Sequence, residues 1–285
     1  MSAALEAERV PAGTVARSAP LRRLLGSELR WVLRRPRTLV LLGVFALIPV
    51  LIAIGVAVGD RSAPGLIGAI AGNGLVLPVA AITVALALLL PLAVAMSAAD
   101  AIAGESAQGT LRGLLIAPVS RLRLVGMKAF GVMVVATLAT LAIAVVGVLA
   151  GLIVVGTADG QLVTLSGTTL GWGAALARVA LVVVWTIGQL AAVGAVALAI
   201  SAITEHPLVV LAAVLGGLIV FGVLSAIPAL DWLQPYLLTT GWRAGADALR
   251  DPLPIDGMVD SSLRALCYLL LGGGLTIGRM LTRDA

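Results

Sequence analysis

Residues Leu39–Gly59 read LVLLGVFALIPVLIAIGVAVG, 21 residues without one charge. At about 1.5 Å of rise per residue, a helix of that length crosses the roughly 30 Å hydrocarbon core of a bilayer. Five comparable runs follow, at about Leu75–Ala99, Leu124–Gly156, Trp172–Ile203, Leu208–Ile227 and Leu263–Leu281. None alternates apolar and polar residues as the strand of a membrane barrel does. In lipid the backbone must satisfy its own N–H and C=O groups, so such runs are helices. Composition agrees: the chain is 60% hydrophobic before its 33 glycines are counted, and only 12% charged. Soluble domains hold about 45–50% apolar residues with glycine included, and about 25% charged. Too few polar residues exist to cover a water-soluble globule of 285 residues, and disorder is excluded for the same reason. The fold class is an all-α integral membrane protein with six transmembrane helices.

Basic residues orient the bundle. Eight arginines lie at or before Arg37. The loop between spans two and three adds Arg112, Arg121, Arg123 and Lys128, and the C-terminus adds Arg279 and Arg283. The opposite side holds Arg61, Arg178, Arg243, Arg250 and Arg264. The positive-inside rule therefore predicts both termini in the cytoplasm, which an even number of spans requires independently. Leu39–Gly59 is long for the apolar core of a signal peptide, and no clean small-x-small site follows it. Alanine- and arginine-rich usage with Lys128 as the lone lysine points to a high-GC bacterium.

Outside the spans, residues 1–18 lack apolar periodicity and read as a disordered cytoplasmic tail. Residues 19–37 read as an amphipathic interfacial elbow helix. Leu21, Leu24, Leu25, Trp31 and Val32 gather on one face at 100° per residue, with Arg23, Ser27, Arg30 and Arg34 opposite. Its arginines suit anionic lipid headgroups, and Pro36 opens the first span. The six-span domain occupies residues 38–285. Its inner segment, 100–122, is longer than a turn needs. Glu105 there suits the first turn of a short helix, Leu111, Leu114 and Leu115 share a face, Pro118 stops the helix, and Ser120 caps the third span. That stripe is either a docking surface or a face packed back on the bundle. Thr204-Glu205-His206-Pro207 makes a minimal turn, with Thr204 as a cap and Pro207 in the next helix's first turn. On the outer side, the 228–262 loop is too long to be structureless. It predicts two short re-entrant or interfacial helices, one of them over 241–250, with Trp232, Tyr236 and Trp242 in an aromatic belt.

Several chemistries are excluded. No phosphate-binding G-x-x-x-x-G-K-[ST] motif exists, nor H-E-x-x-H, nor G-x-S-x-G. One histidine, His206, and one cysteine, Cys267, cannot build a metal site or an internal disulfide. No bilayer-centre position carries a charge, which counts against an ion-coupled carrier. The polar residues within spans are mild. Thr83, Thr186 and Gln189 are pathway candidates, although Gln189 equally suits hydrogen bonding between helices. Small-xxx-small pairs occur at Gly55/Gly59, Gly68/Gly72, Gly147/Gly151 and Gly274/Gly278, and Pro49, Pro78 and Pro91 are potential kinks.

Gly104–Arg121, GESAQGTLRGLLIAPVSR, followed by Lys128, resembles the E-x-x-x-G-T-x-x-x-L-L-x-x-P-V-S-R…K segment of the type-2 ABC transporter permeases, the membrane subunits of ABC-2-type exporters. Glu28-Leu29-Arg30 through Arg35-Pro36-Arg37-Thr38 is similar to that family's elbow helix, and Leu281-Thr282-Arg283-Asp284 to its ending. The 204–207 turn is a departure, being very short. The resemblance implies an exporter permease that is not itself an enzyme. It would pair with a second copy or a paralogue and be driven by two cytosolic ABC ATPase subunits. The chain would bind no cofactor, with ATP and Mg held by the partner ATPase; lipids are further partners and nucleic acid is not. Glu105, Gly109, Thr110, Arg112, Leu114, Leu115, Pro118 and Arg121 would couple to the ATPase, braced by Glu28, Arg30, Trp31, Arg34 and Arg35. A membrane scaffold or signalling subunit is the competing class, and an ion-coupled carrier the third.

Overall fold

A computed structural model describes residues 25–26, 29–30, 33–34, 36–59, 70, 73–107, 120–156 and 162–282. Six helices among them are long and apolar enough to cross a membrane. The first is α1, Pro36–Val58. The second span is built from α2, Leu77–Ala87, and α3, Leu89–Ala99. Then come α4, Arg121–Ala150, α5, Trp172–Ile203, α6, Pro207–Ser225, and α7, Asp256–Thr282. Spans one, three, four and five fall within a few residues of their predicted limits, whereas the second candidate span, Leu89–Ala107, runs past its predicted end at Ala99.

Local chemistry sets the helix ends. Ser120 caps α4 as expected, its Oγ accepting from the Arg123 N–H at 3.4 Å. Pro207 opens α6, where its missing N–H costs nothing. Thr204 does not cap α6; its Oγ1 accepts from the His206 N–H at 3.2 Å and closes the turn instead. Span two breaks at Leu88, φ −151° and ψ −48°. Pro91 explains the break, because it has no N–H for the Ala87 carbonyl and its ring crowds that carbonyl. Pro78 sits at the start of α2, where it makes no kink.

Hydrogen bonds at both ends fix the up-and-down topology. At one end, Arg121 reaches the carbonyls of Met280 and Leu281, and Ser106 reaches Glu205. At the other, the Gly74 N–H donates to the Gly156 carbonyl and the Leu165 N–H to that of Leu249. The first is called here the basic end, after its arginines. Span two, α4 and α5 form the core, with Leu86, Leu90, Ile143 and Leu190 fully buried. In α6 only Val210 and Val214 are buried, so that helix flanks the bundle.

Close backbone approach holds α2 to α4. A Cβ on Gly151 would lie 2.0 Å from the Gly74 carbonyl oxygen, and one on Gly147 would lie 2.8 Å from Pro78 Cα. The Gly147/Gly151 pair is therefore a helix contact, as small residues allow in membranes. Gly55, Gly274 and Gly278 face open space, and Gly68/Gly72 lies outside the described residues.

The far end differs from expectation in three ways. A short antiparallel hairpin pairs Leu162–Val163 with Thr169–Leu170. The 228–262 loop is shorter than read, because α7 begins at Asp256 rather than near Leu263. Its first two turns are amphipathic, with Met258, Ser261 and Ala265 buried, and a search for unbroken apolar runs passes over them. Two 3₁₀ stretches, Pro228–Tyr236 and Leu238–Leu249, fill the remainder. Trp232 and Tyr236 are exposed as a belt requires, but Trp242 is buried in the core. The Arg178 guanidinium ties this layer to α5, donating to the carbonyls of Ala248 at 3.1 Å and Arg250, and to Asp251 at 2.8 Å.

Candidate functional site

Span two does not stop at Ala99. It continues through a π-helical turn, Asp100–Gly104, into Glu105–Ala107. In an uninterrupted α-helix the Ala103 N–H would bond the Ala99 carbonyl. Here the Ser201 hydroxyl of α5 stands between them, accepting from the Ala103 N–H at 3.0 Å and donating to the Ala99 carbonyl at 3.5 Å. A side chain inserted into the ladder is a known cause of such a turn. Ser201 is fully buried, so this wedge is part of the core.

The turn aims Glu105 at α4. Its Oε1 accepts from Lys128 Nζ at 2.5 Å, with the two side chains 15% and 6% exposed. The expectation that Glu105 opens a short helix is therefore corrected. It extends the helix of span two, gains no N-terminal macrodipole, and has its charge met by Lys128. Nearby, Arg37 of α1 pairs with Asp100 at 3.5 Å, and the Ser106 hydroxyl meets Glu205 at 3.4 Å. One charged and polar layer thus joins spans one to five.

Arg121 is held from another direction. Its Nη1 donates to the carbonyls of Met280 and Leu281, both at 2.9 Å, near the C-terminus of α7. A cation suits that position, where the last carbonyls of a helix lack backbone donors. Gly109, Thr110, Arg112, Leu114, Leu115 and Pro118 lie outside the described residues, as do Glu28, Trp31 and Arg35. Arg30 and Arg34 occupy exposed helical positions, and Arg30 Nε donates to the Gly26 carbonyl at 3.2 Å. The structure therefore places both flanks of the 108–119 segment, Glu105 and Arg121, on the same end of the bundle.

The pathway candidates separate. Thr83 is half-buried and donates to the Val79 carbonyl of its own helix at 2.8 Å. Thr186 and Gln189, three residues apart on α5, are buried, and neither the Thr186 hydroxyl nor the Gln189 amide has a hydrogen-bond partner among the described residues.

Lys128 stands in the motif without a role there, and nothing in the sequence marks Arg37, Asp100 or Ser201 as partners in this layer. Glu105 and Lys128 stand 23 positions apart with no periodic relation, so only the fold reveals their pairing. Lys128→Met is expected to lower stability by about 3 kcal/mol, because it takes a close counter-charge away from a largely buried carboxylate. Adding Glu105→Gln should restore most of that loss, read as the thermal midpoint in mild detergent. Equal midpoints for Lys128→Met and the unaltered chain would refute the buried pair.

A family model described as ABC-2 family transporter protein matches residues 23–240, well over half of the chain. Comparison with curated proteins finds no match. The matched region contains the wedge, the ion pairs and five of the six spans, and the chain belongs to the ABC-2 transporter family.

Proposed function

We propose that this chain is the permease subunit of an ATP-driven exporter. Two copies, or this chain and a paralogue, form the pathway, and two cytosolic ABC ATPase subunits hold the ATP and Mg that drive it. It sits in a bacterial cytoplasmic membrane with both termini inside. One observation carries the reading: the residues flanking the 108–119 segment are each bound to a different part of the bundle. Glu105 is locked to α4 through Lys128, and Arg121 to the end of α7. A force applied to that segment is therefore delivered to spans two, three and six together. This sequence holds no phosphate-binding motif, which supports a force supplied by a separate ATPase. The apolar interior favours lipids, hydrophobic drugs or antibiotics as cargo.

Purification of the full chain from its native membrane in mild detergent tests this. An ATPase bearing the phosphate-binding motif should co-purify, and its hydrolysis should change when the complex is reconstituted. Recovery of a partner with no nucleotide site would instead favour the scaffold reading.

A further inference from the structure

A groove of about 680 Å³ runs along α5 and α7 toward the far end, walled by Leu181, Trp185, Gly188, Gln189, Met258 and Leu266 among others. A second cavity of about 390 Å³ continues it toward the basic end, between α4, α5 and α7. Ala191 and Leu269 line both, so the two adjoin along α5 and are taken together as one apolar cleft. Volumes of about 300–1,000 Å³ are typical of ligand sites.

Three wall residues carry polar side chains, Gln189, Ser262 and Thr276, and the hydroxyls of the last two donate to carbonyls of their own helix. Gln189 is 1% exposed, and neither its amide oxygen nor its amide nitrogen has a hydrogen-bond partner among the described residues. In hydrocarbon an unmet amide costs several kcal/mol. Its height is fixed by the α5 register. Ser201 meets Ala99 and Ala103, and a Cβ on Gly194 would touch Val94 at 3.2 Å. Twelve residues back from Ser201, about 18 Å, Gln189 lies level with the break at Leu88, near mid-helix.

We propose that this cleft binds a neutral, elongated, mainly hydrocarbon molecule whose hydroxyl or carbonyl is held by the Gln189 amide. The amide both donates and accepts, which suits either group. None of the described residues lining the cleft is charged, which, with the cost of burying a charge at that depth, selects against ionised ligands. The site narrows the cargo class, and its part in export rests on the permease reading above.

The probe is a monoacylglycerol carrying a photoactivatable diazirine on its chain, applied to the full-length protein in phosphatidylcholine nanodiscs. Label should concentrate on peptides covering residues 181–191 and 258–269, and unlabelled monoacylglycerol should compete better than the matching fatty-acid anion. Gln189→Leu should weaken competition about fivefold, the worth of one hydrogen bond. Gly188→Phe should abolish labelling; a Cβ there meets nothing within 4 Å, so the ring enters the groove without displacing backbone. Label unaffected by both variants, or equally strong on α6, would mean bulk lipid and overturn the site. Efficient cross-linking of two copies through Leu266→Cys would make the cleft a subunit seam and also overturn it. Binding is read on this chain without any ATPase. Specific label with no ATP-dependent movement of the probe by the complex would therefore remove the permease reading and keep the site. ATP-driven movement unchanged in Gly188→Phe would do the reverse.

Discussion

Leu114→Asp is expected to abolish ATP-driven transport while leaving the chain in the membrane at its normal level. The sequence predicts that Leu111, Leu114 and Leu115 share one face of the segment, and three leucines so placed would be a natural anchor for a hydrophobic groove on a soluble motor. An aspartate in that stripe must be desolvated on docking, at a cost of several kcal/mol. The bundle itself should be undisturbed. The contacts that hold the flanks, Glu105 to Lys128 and Arg121 to the α7 carbonyls, use other residues. The measurement is ATPase co-purification, together with hydrolysis in reconstituted complex. Retained co-purification and unchanged substrate-stimulated hydrolysis would refute the assignment of the stripe. Lys128→Met separates the two ways of failing, since it loosens the segment's root without touching the stripe.

Span limits were legible because a bilayer imposes a length and an apolarity that each helix must meet within itself. Pro36, Ser120 and Pro207 also did locally what their chemistry predicts. Three things escaped. The π-helical turn at Asp100–Gly104 exists because a serine about 100 positions away enters the backbone ladder, and no local pattern announces that. The early start of α7 escaped because its first turns bury one narrow face, leaving polar residues that interrupt an apolar count. Glycine contacts were half legible: Gly147/Gly151 proved a real approach, whereas Gly274/Gly278 followed the same spacing on an open face. A spacing motif says that two small residues share a face but not that another helix lies against it.

Gly272→Ala, Gly273→Ala and Gly274→Ala form a set whose members should differ in sign. A Cβ on Gly272 would stand 2.6 Å from the Ala195 carbonyl carbon and 2.8 Å from both its oxygen and the Val196 nitrogen. These are backbone atoms of α5, so no rotamer change relieves the clash and α7 must move away. Overpacking of this kind costs about 1–3 kcal/mol, and the better helix propensity of alanine offsets about 1 kcal/mol at most. The net for Gly272→Ala is destabilisation, growing sharply with Gly272→Leu. At Gly273 and Gly274 a Cβ meets nothing within 4 Å, so alanine should be neutral or stabilising by up to about 1 kcal/mol. Thermal retention of a monodisperse species in mild detergent reads all three. If Gly272→Ala matched Gly274→Ala, α5 and α7 would not cross where the structure has them. The crossing also bears on function. Gly272 holds the two helices together between Leu269, which lines both halves of the cleft, and Thr276, which lines its inner half. Arg121 grips the end of the same helix, beyond Met280. A pull on the inner segment through Arg121 would tilt α7 about this contact. The far-end groove beside Gln189 would then widen or close while the core of spans two to four stayed in place.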